Sequence, residues 1–208
     1  MSPPLVPAAI GERARTSPGH PAVGDPDRSL TYGELWAEAG RVAAGLTGRG
    51  VSVGDRVALL LPNSVDFVVA AVACLRVGAI FVPLAVTDPV ARLGAILADC
   101  APAVVIPGDA DDQFPTLPDA TAAATLSELG ATTGEPPAHP AAPDSVAYAI
   151  YTSGTTGTPK GVLIGNAAFA AAVAATTEAL GLVDSTCTLC VSPFHFDGSF
   201  GTLFPTLC

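Results

Sequence analysis

From Arg56 to Leu84 the chain reads RVALLLPNSVDFVVAAVACLRVGAIFVPL, and the reading of this stretch decides the fold. Residues 56–61 are a short apolar run that ends at Pro62 and Asn63, a turn signal. Ser64 offers a side-chain oxygen to cap a helix that runs through Val77 and stops at Gly78. A second apolar run over 80–84 is a strand. Strand, helix and strand joined by short breakers make a parallel βαβ unit. The most apolar part, 67–86, is interrupted by Arg76, Gly78 and Pro83, so it falls short of the ~20 unbroken apolar residues that a membrane span requires.

The same alternation continues on both sides. Upstream, Thr31-x-x-Glu34 is a capping box, in which hydroxyl and carboxylate satisfy orphan amides at a helix start, and it predicts a helix over 32–46. Downstream, Asp88 and Pro89 are a good N-cap and first helical residue for a helix over 90–98, followed by a buried strand over 103–106. From Gly108 to Pro143 the texture turns to Pro, Ala, Thr, Asp and Gly, a variable connection with one short strand or helix near 125–129. Order resumes with a strand over 146–151, a strand over 161–164, an alanine-rich helix over 166–180, a strand over 186–191 and a last apolar segment over 199–207. The expected class is α/β, built of layered βαβ units on a largely parallel sheet.

Composition narrows the function classes. The 208 residues are 50% hydrophobic and 13% charged, too apolar for a disordered chain. A net charge of -10 and a pI near 4.4 leave no footprint for nucleic acid or an anionic membrane. The five cysteines are an odd number with no signal peptide before them, which suits a reduced, cytoplasmic setting. Cys187 and Cys190 form a C-x-x-C without a second pair and are expected to be small buried hydrophobes of the 186–191 strand. The only lysine is Lys160, so any role that needs a lysine within these residues falls to it.

That lysine stands in the most informative segment, Tyr151-Thr-Ser-Gly-Thr-Thr-Gly-Thr-Pro-Lys160-Gly161. Directly after a buried strand it gathers hydroxyls, unhindered amides and one cation. Glycines let backbone N–H groups turn toward an anion, hydroxyls add donors or ligand magnesium, and the lysine neutralises charge. The spacing differs from a Walker A loop, because Gly161 stands where the hydroxyl after the lysine should be.

This segment resembles the nucleotide-phosphate signature of the adenylate-forming enzymes, which include acyl-CoA synthetases, aryl-acid ligases and nonribosomal-peptide adenylation domains. Three more segments resemble the family in order: Leu30-Thr-Tyr-Gly-Glu-Leu35, Leu75-Arg-Val-Gly-Ala-Ile-Phe-Val-Pro-Leu84 and Ser192-Pro-Phe-His-Phe-Asp-Gly-Ser199. The resemblance implies the N-terminal part of the family's large AMP-binding domain, and a chemistry in which a carboxylate attacks the α-phosphate of Mg-ATP to give an acyl-adenylate and pyrophosphate. A carrier-protein phosphopantetheine thiol, coenzyme A or an amine then takes the acyl group. By the same resemblance Thr152, Ser153, Gly154, Thr155, Thr156, Gly157 and Lys160 would hold the phosphates. Thr155 and Thr156 would serve the magnesium, and Lys160 would stabilise the departing pyrophosphate. The first two of the three further segments carry packing and no chemistry.

The last of them reads three ways. Phe196-Asp197-Gly198-Ser199 is similar to the Phe-Asp-x-Ser of amino-acid-activating domains, which would make Asp197 the acceptor for a substrate ammonium in a partly buried pocket. Pro193-Phe194-His195 is similar to the Pro-x-Phe-His of acyl- and aryl-CoA ligases, which would put His195 at the acceptor tunnel. The plainest alternative is a helix N-cap at Asp197 and an ordinary packed histidine. The amino-acid reading matches at both Asp197 and Ser199 and is preferred. Family members extend well beyond the position of Cys208, into a C-terminal domain whose lysine contacts the reacting carboxylate. The expectation is therefore an incomplete enzyme, inactive alone, whose partner is its own missing part. The alternative of another class is a non-catalytic interaction module that keeps the fold and serves a protein partner through an open apolar face.

Overall fold

A computed structural model describes residues 2–108, 115–119, 121–132, 134, 141–153 and 159–208. In chain order the elements are α1 (Val6–Thr16), β1 (Pro21–Gly24), β2 (Ser29–Thr31), α2 (Tyr32–Gly48), β3 (Arg56–Leu60), α3 (Val65–Val77), β4 (Ile80–Pro83), α4 (Val90–Cys100) and β5 (Val104–Pro107). There follow β6 (Ala122–Ala123), α5 (Leu126–Gly130), β7 (Val146–Ser153), β8 (Pro159–Gly165), α6 (Asn166–Leu180), a single 3-10 turn at Asp197–Ser199 and α7 (Phe200–Leu207). The α/β expectation holds. The main sheet has the order β6-β5-β3-β4-β7-β8, parallel throughout except for the antiparallel β7–β8 pair at one edge.

The local signals act as their chemistry requires. Ser64 Oγ accepts from the amide of Phe67 at 3.3 Å, and Gly78 ends α3 in the left-handed region at φ 76°. At the start of α2 the Thr31 hydroxyl accepts from the Glu34 amide, while the Glu34 carboxylate accepts from the Thr31 amide at 2.8 Å. A second capping box, Thr125 with Glu128, starts α5 and resolves the strand-or-helix question there.

Alternation along the strands sends side chains to two cores. Val57, Leu59, Phe81 and Ile106 enter the larger one, with α1, α2, α3, α6 and α7. Ala58, Leu60, Val82 and Val105 enter the smaller one under α4. Helix α3 is buried on nearly every side between the sheet and α2, which is why its sequence is apolar all round. Phe81, Tyr148, Phe200 and Phe204 interlock with ring centroids 5.0–6.4 Å apart, fastening α7 to the centre of the sheet.

Three expectations are corrected. Asp88 does not cap α4: its carboxylate accepts from Arg92 Nε at 2.9 Å, and Pro89, at ψ 141°, stands outside the helix. Residues 186–191 form no strand, since no strand among the described residues pairs with them. The alternation survives only as burial: Leu189 and Val191 are 81% and 79% exposed, while Cys190 packs on the core and Cys187 lies exposed rather than buried. The third correction is an omission, because α1 and the β1–β2 pair carry no strong periodic signal and were not anticipated.

Candidate functional site

Strands β7 and β8 hold the two ends of the glycine- and threonine-rich loop. Their register pairs Tyr151 with Gly161, Thr152 with Lys160 and Ser153 with Pro159. Gly154, Thr155, Thr156 and Gly157 lie outside the described residues, as does the placement of the Ser153 side chain. Thr152 and Lys160 are both exposed, and strand alternation puts Lys160 on the same face as Val162 and Ile164.

That face borders a cavity of about 480 Å³ between α4, the β7–β8 hairpin and the segment before α7. Its polar lining is Asp88, Arg92, Tyr151, Thr152, His195 and Asp197, and Leu84, Ile96, Ile150 and Phe196 are among its apolar walls. The structure thus brings together Thr152, His195, Phe196 and Asp197, with Lys160 across the ladder from Thr152. The 192–197 segment is held from below. Asn63, in the turn after β3, donates to Ser192 O and accepts from the Phe194 amide, both at 2.8 Å, while the Phe194 ring packs 4.8 Å from that of Phe67. The Ser199 hydroxyl donates to Phe196 O at 2.6 Å and shapes the 3-10 turn.

Asp197 departs from expectation in burial. It lines the cavity but is exposed, so its carboxylate keeps solvent on one side. It is no helix cap either, as neither the 3-10 turn nor α7 has a side-chain cap bond. Its charge reaches Tyr148, whose phenol is pushed up to about 12, mainly by burial and then by Asp197. His195 sits below the ordinary histidine range because burial disfavours the cation; nearby Asp88 acts against that shift and Arg92 with it. Neutral imidazole is therefore the resting form near pH 7. Tyr151 is raised by burial and by its hydrogen bond to Asp99.

Asn63, Asp88, Arg92, Tyr151 and Asp99 were missed as site residues. Tyr151 meets Asp99 across 52 positions and Asn63 meets Phe194 across 131, and no local pattern signals such contacts, whereas Asp88 and Arg92 are an i,i+4 pair that helical spacing could have suggested. An amine cation and a hydroxyl are groups that could meet the oxygens of an anionic ligand. A lysine and a threonine hydroxyl stand at the loop base, and the described residues hold no cluster of three or more metal-ligating side chains.

Residues 10–208 match the family model of AMP-binding enzymes. The chain belongs to the AMP-binding enzyme family. Among its relatives, tenellin synthetase of Beauveria bassiana is 35% identical over 89% of this chain, and feruloyl-CoA synthase of an Amycolatopsis species is 40% identical over 73%. The solved structure of VinN in complex with 3-methylaspartate superposes with a TM-score of 0.87 at 25% identity, covering 99% of this chain. These matches span 5%, 31% and 60% of tenellin synthetase, feruloyl-CoA synthase and VinN. This AMP-binding chain thus spans only a portion of its relatives, which include both peptide-synthetase adenylation domains and acyl-CoA synthetases. No helix among the described residues is long and apolar enough to cross a membrane.

Proposed function

We propose that this chain forms the phosphate-holding and acid-binding part of an adenylate-forming ligase that acts on an amino acid. One observation carries the reading: a single cavity joins Thr152, at the base of the phosphate loop, to Asp197, the carboxylate that would meet a substrate ammonium. In the reaction a carboxylate oxygen attacks the α-phosphorus of ATP, the bond to the β-phosphate breaks, and pyrophosphate leaves with its negative charge. Thr152 and Lys160, with the loop residues Ser153 to Gly157, would hold the triphosphate, and Lys160 would stabilise the leaving pyrophosphate as a fixed cation. Thr155 and Thr156 would hold a magnesium ion, which would supply neutralising charge to the triphosphate. The solvent beside Asp197 suits a zwitterion, which arrives hydrated and keeps part of its shell.

The acyl group would pass to a carrier-protein thiol or coenzyme A. The rest of the acid pocket and the lysine that contacts the reacting carboxylate would come from a C-terminal part, in a cytoplasmic enzyme whose 108–143 connection is variable. A second reading, aryl- or acyl-CoA ligation, is favoured by one feature: the neutral His195 in the same cavity, where a tunnel residue would stand.

Calorimetric titration of Mg-ATP into the chain and its Lys160→Ala variant tests the phosphate assignment. The variant should bind at least about tenfold more weakly, as expected for a lost charge-assisted contact; equal affinity would overturn the assignment and favour an interaction module. Amino acids and aryl acids, added separately with ATP, test the substrate class. Asp197→Asn should abolish amino-acid binding, and aryl-acid binding that survives it would transfer the site to the second reading. Acid-dependent pyrophosphate exchange by the chain alone is expected to be absent, because its only lysine is committed to the loop.

A further inference from the structure

A side-chain hydrogen bond joins strand β7 to helix α4. The Tyr151 hydroxyl donates to Asp99 Oδ2 at 2.5 Å. Asp99 lies in the last turn of α4, and that end of the helix is tied to the middle of the sheet from its other side. Arg56 of β3 donates from Nε to Cys100 O at 2.8 Å and from Nη2 to Ala101 O at 3.0 Å. Asp99 is therefore an acceptor on a fixed support.

The Tyr151 ring lies across the ladder on Gly161. A Cβ at Gly161 would stand 3.0 Å from Tyr151 Cζ and 3.1 Å from its hydroxyl oxygen. Glycine there leaves room for the ring, so one side chain packs on β8, belongs to β7 and is bonded to α4. The next pair along the same ladder is Thr152 with Lys160.

We propose that Tyr151 is a positioning residue for the nucleotide: its ring on Gly161 and its bond to Asp99 lock both strands at the base of the phosphate loop to α4, holding Thr152 and Lys160 in one register for the triphosphate. The proposal rests on the phosphate reading above. The bond needs only an acceptor at position 99, which a carboxylate or an amide oxygen supplies. The arrangement also makes Gly161 a necessity of the ring and not of the loop, which separates its role from that of the glycines meant to face phosphate.

The test compares the parent chain with Tyr151→Phe, Asp99→Ala, Asp99→Asn, the Tyr151→Phe/Asp99→Ala double variant and Lys160→Ala. Mg-ATP affinity is measured by calorimetry, and hydrogen exchange of the 151–161 peptide is followed without nucleotide. Tyr151→Phe and Asp99→Ala should each weaken ATP binding by about tenfold and speed exchange of the peptide, the double variant being no worse than either alone. Asp99→Asn still accepts from the phenol and should recover most of the loss, which a purely structural contribution of the carboxylate charge would not allow. Lys160→Ala losing ATP while Tyr151→Phe keeps parent affinity and parent exchange would overturn the latch and spare the phosphate reading. A parent chain that binds no ATP would overturn both, and additive losses in the double variant would overturn the coupling of the two residues.

Discussion

Gly45 and Gly94 are both helical glycines, and replacing each by alanine should move stability in opposite directions. In the middle of α4, a Cβ at Gly94 would meet nothing within 4 Å. Alanine there gains only the helix preference, about 0.5–1 kcal/mol. In α2, a Cβ at Gly45 would lie 2.2 Å from Leu129 O and 2.7 Å from Leu129 Cα, both backbone atoms of α5. No rotamer relieves that contact. Helix α5 would have to retreat by roughly 1 Å to restore van der Waals distance, and Leu129, wholly buried, would be drawn from its site. Overpacking of this kind costs about 1–3 kcal/mol and outweighs the helix preference. At roughly 2–4 °C per kcal/mol for a chain of this size, the overpacking alone lowers melting by about 2–12 °C and the helix preference returns about 1–4 °C, so Gly45→Ala should melt below the parent and Gly94→Ala about 1–4 °C above it. Thermal unfolding followed by circular dichroism reads both. A Gly45→Ala protein that melts at or above the parent would refute the close approach of α2 and α5.

Three further outcomes are expected. Because His195 in the folded protein has its pKa below the ordinary value, the unfolded chain binds the proton more readily; stability contributed by this site is present above about pH 6.5 and falls as pH drops toward the folded value. His195→Gln should flatten that part of a denaturation series from pH 7 to 5. All three tyrosines are shifted upward by burial, Tyr148 to about 12, so phenolate absorbance at pH 10.5 should be small in the folded protein and appear on unfolding, with stability lost as pH rises beyond about 10. Asn63→Ala would strip the partners from Ser192 O and the Phe194 amide, costing about 1–3 kcal/mol in urea unfolding and loosening the segment that carries Asp197.

The parts of the fold that could be read from sequence are those whose causes are local. Ser64, Thr31 with Glu34, and Gly78 each act within four residues, and α2, α3 and β3–β4 stand where those signals put them. Signals with two possible uses misled. The Asp88 carboxylate fits an N-cap and an ion pair with Arg92 equally well in sequence, and the ion pair prevails. Alternation over 186–191 describes a strand only if a neighbour supplies a ladder, and none among the described residues does. At the site, the approach of the 192–197 segment to the β7–β8 hairpin is foreshadowed by motif resemblance alone. Its supports, Asn63 and the Tyr151–Asp99 bond, arise from packing between distant segments and have no sequence pattern of their own.

The position of β7 beside β4 has a kinetic consequence. Phe81 and Tyr148 are neighbours in the sheet but 67 residues apart in the chain, whereas β3 pairs with β4, and β7 with β8, across far shorter spans. Closing the longer loop costs more entropy before any contact rewards it. The β3–α3–β4 unit and the β7–β8 hairpin are thus expected to form early and separately, and their union to be the slow step. Because Phe200 rests on both Phe81 and Tyr148, α7 finds its seat only once that union is made, so the segment carrying Asp197 matures last.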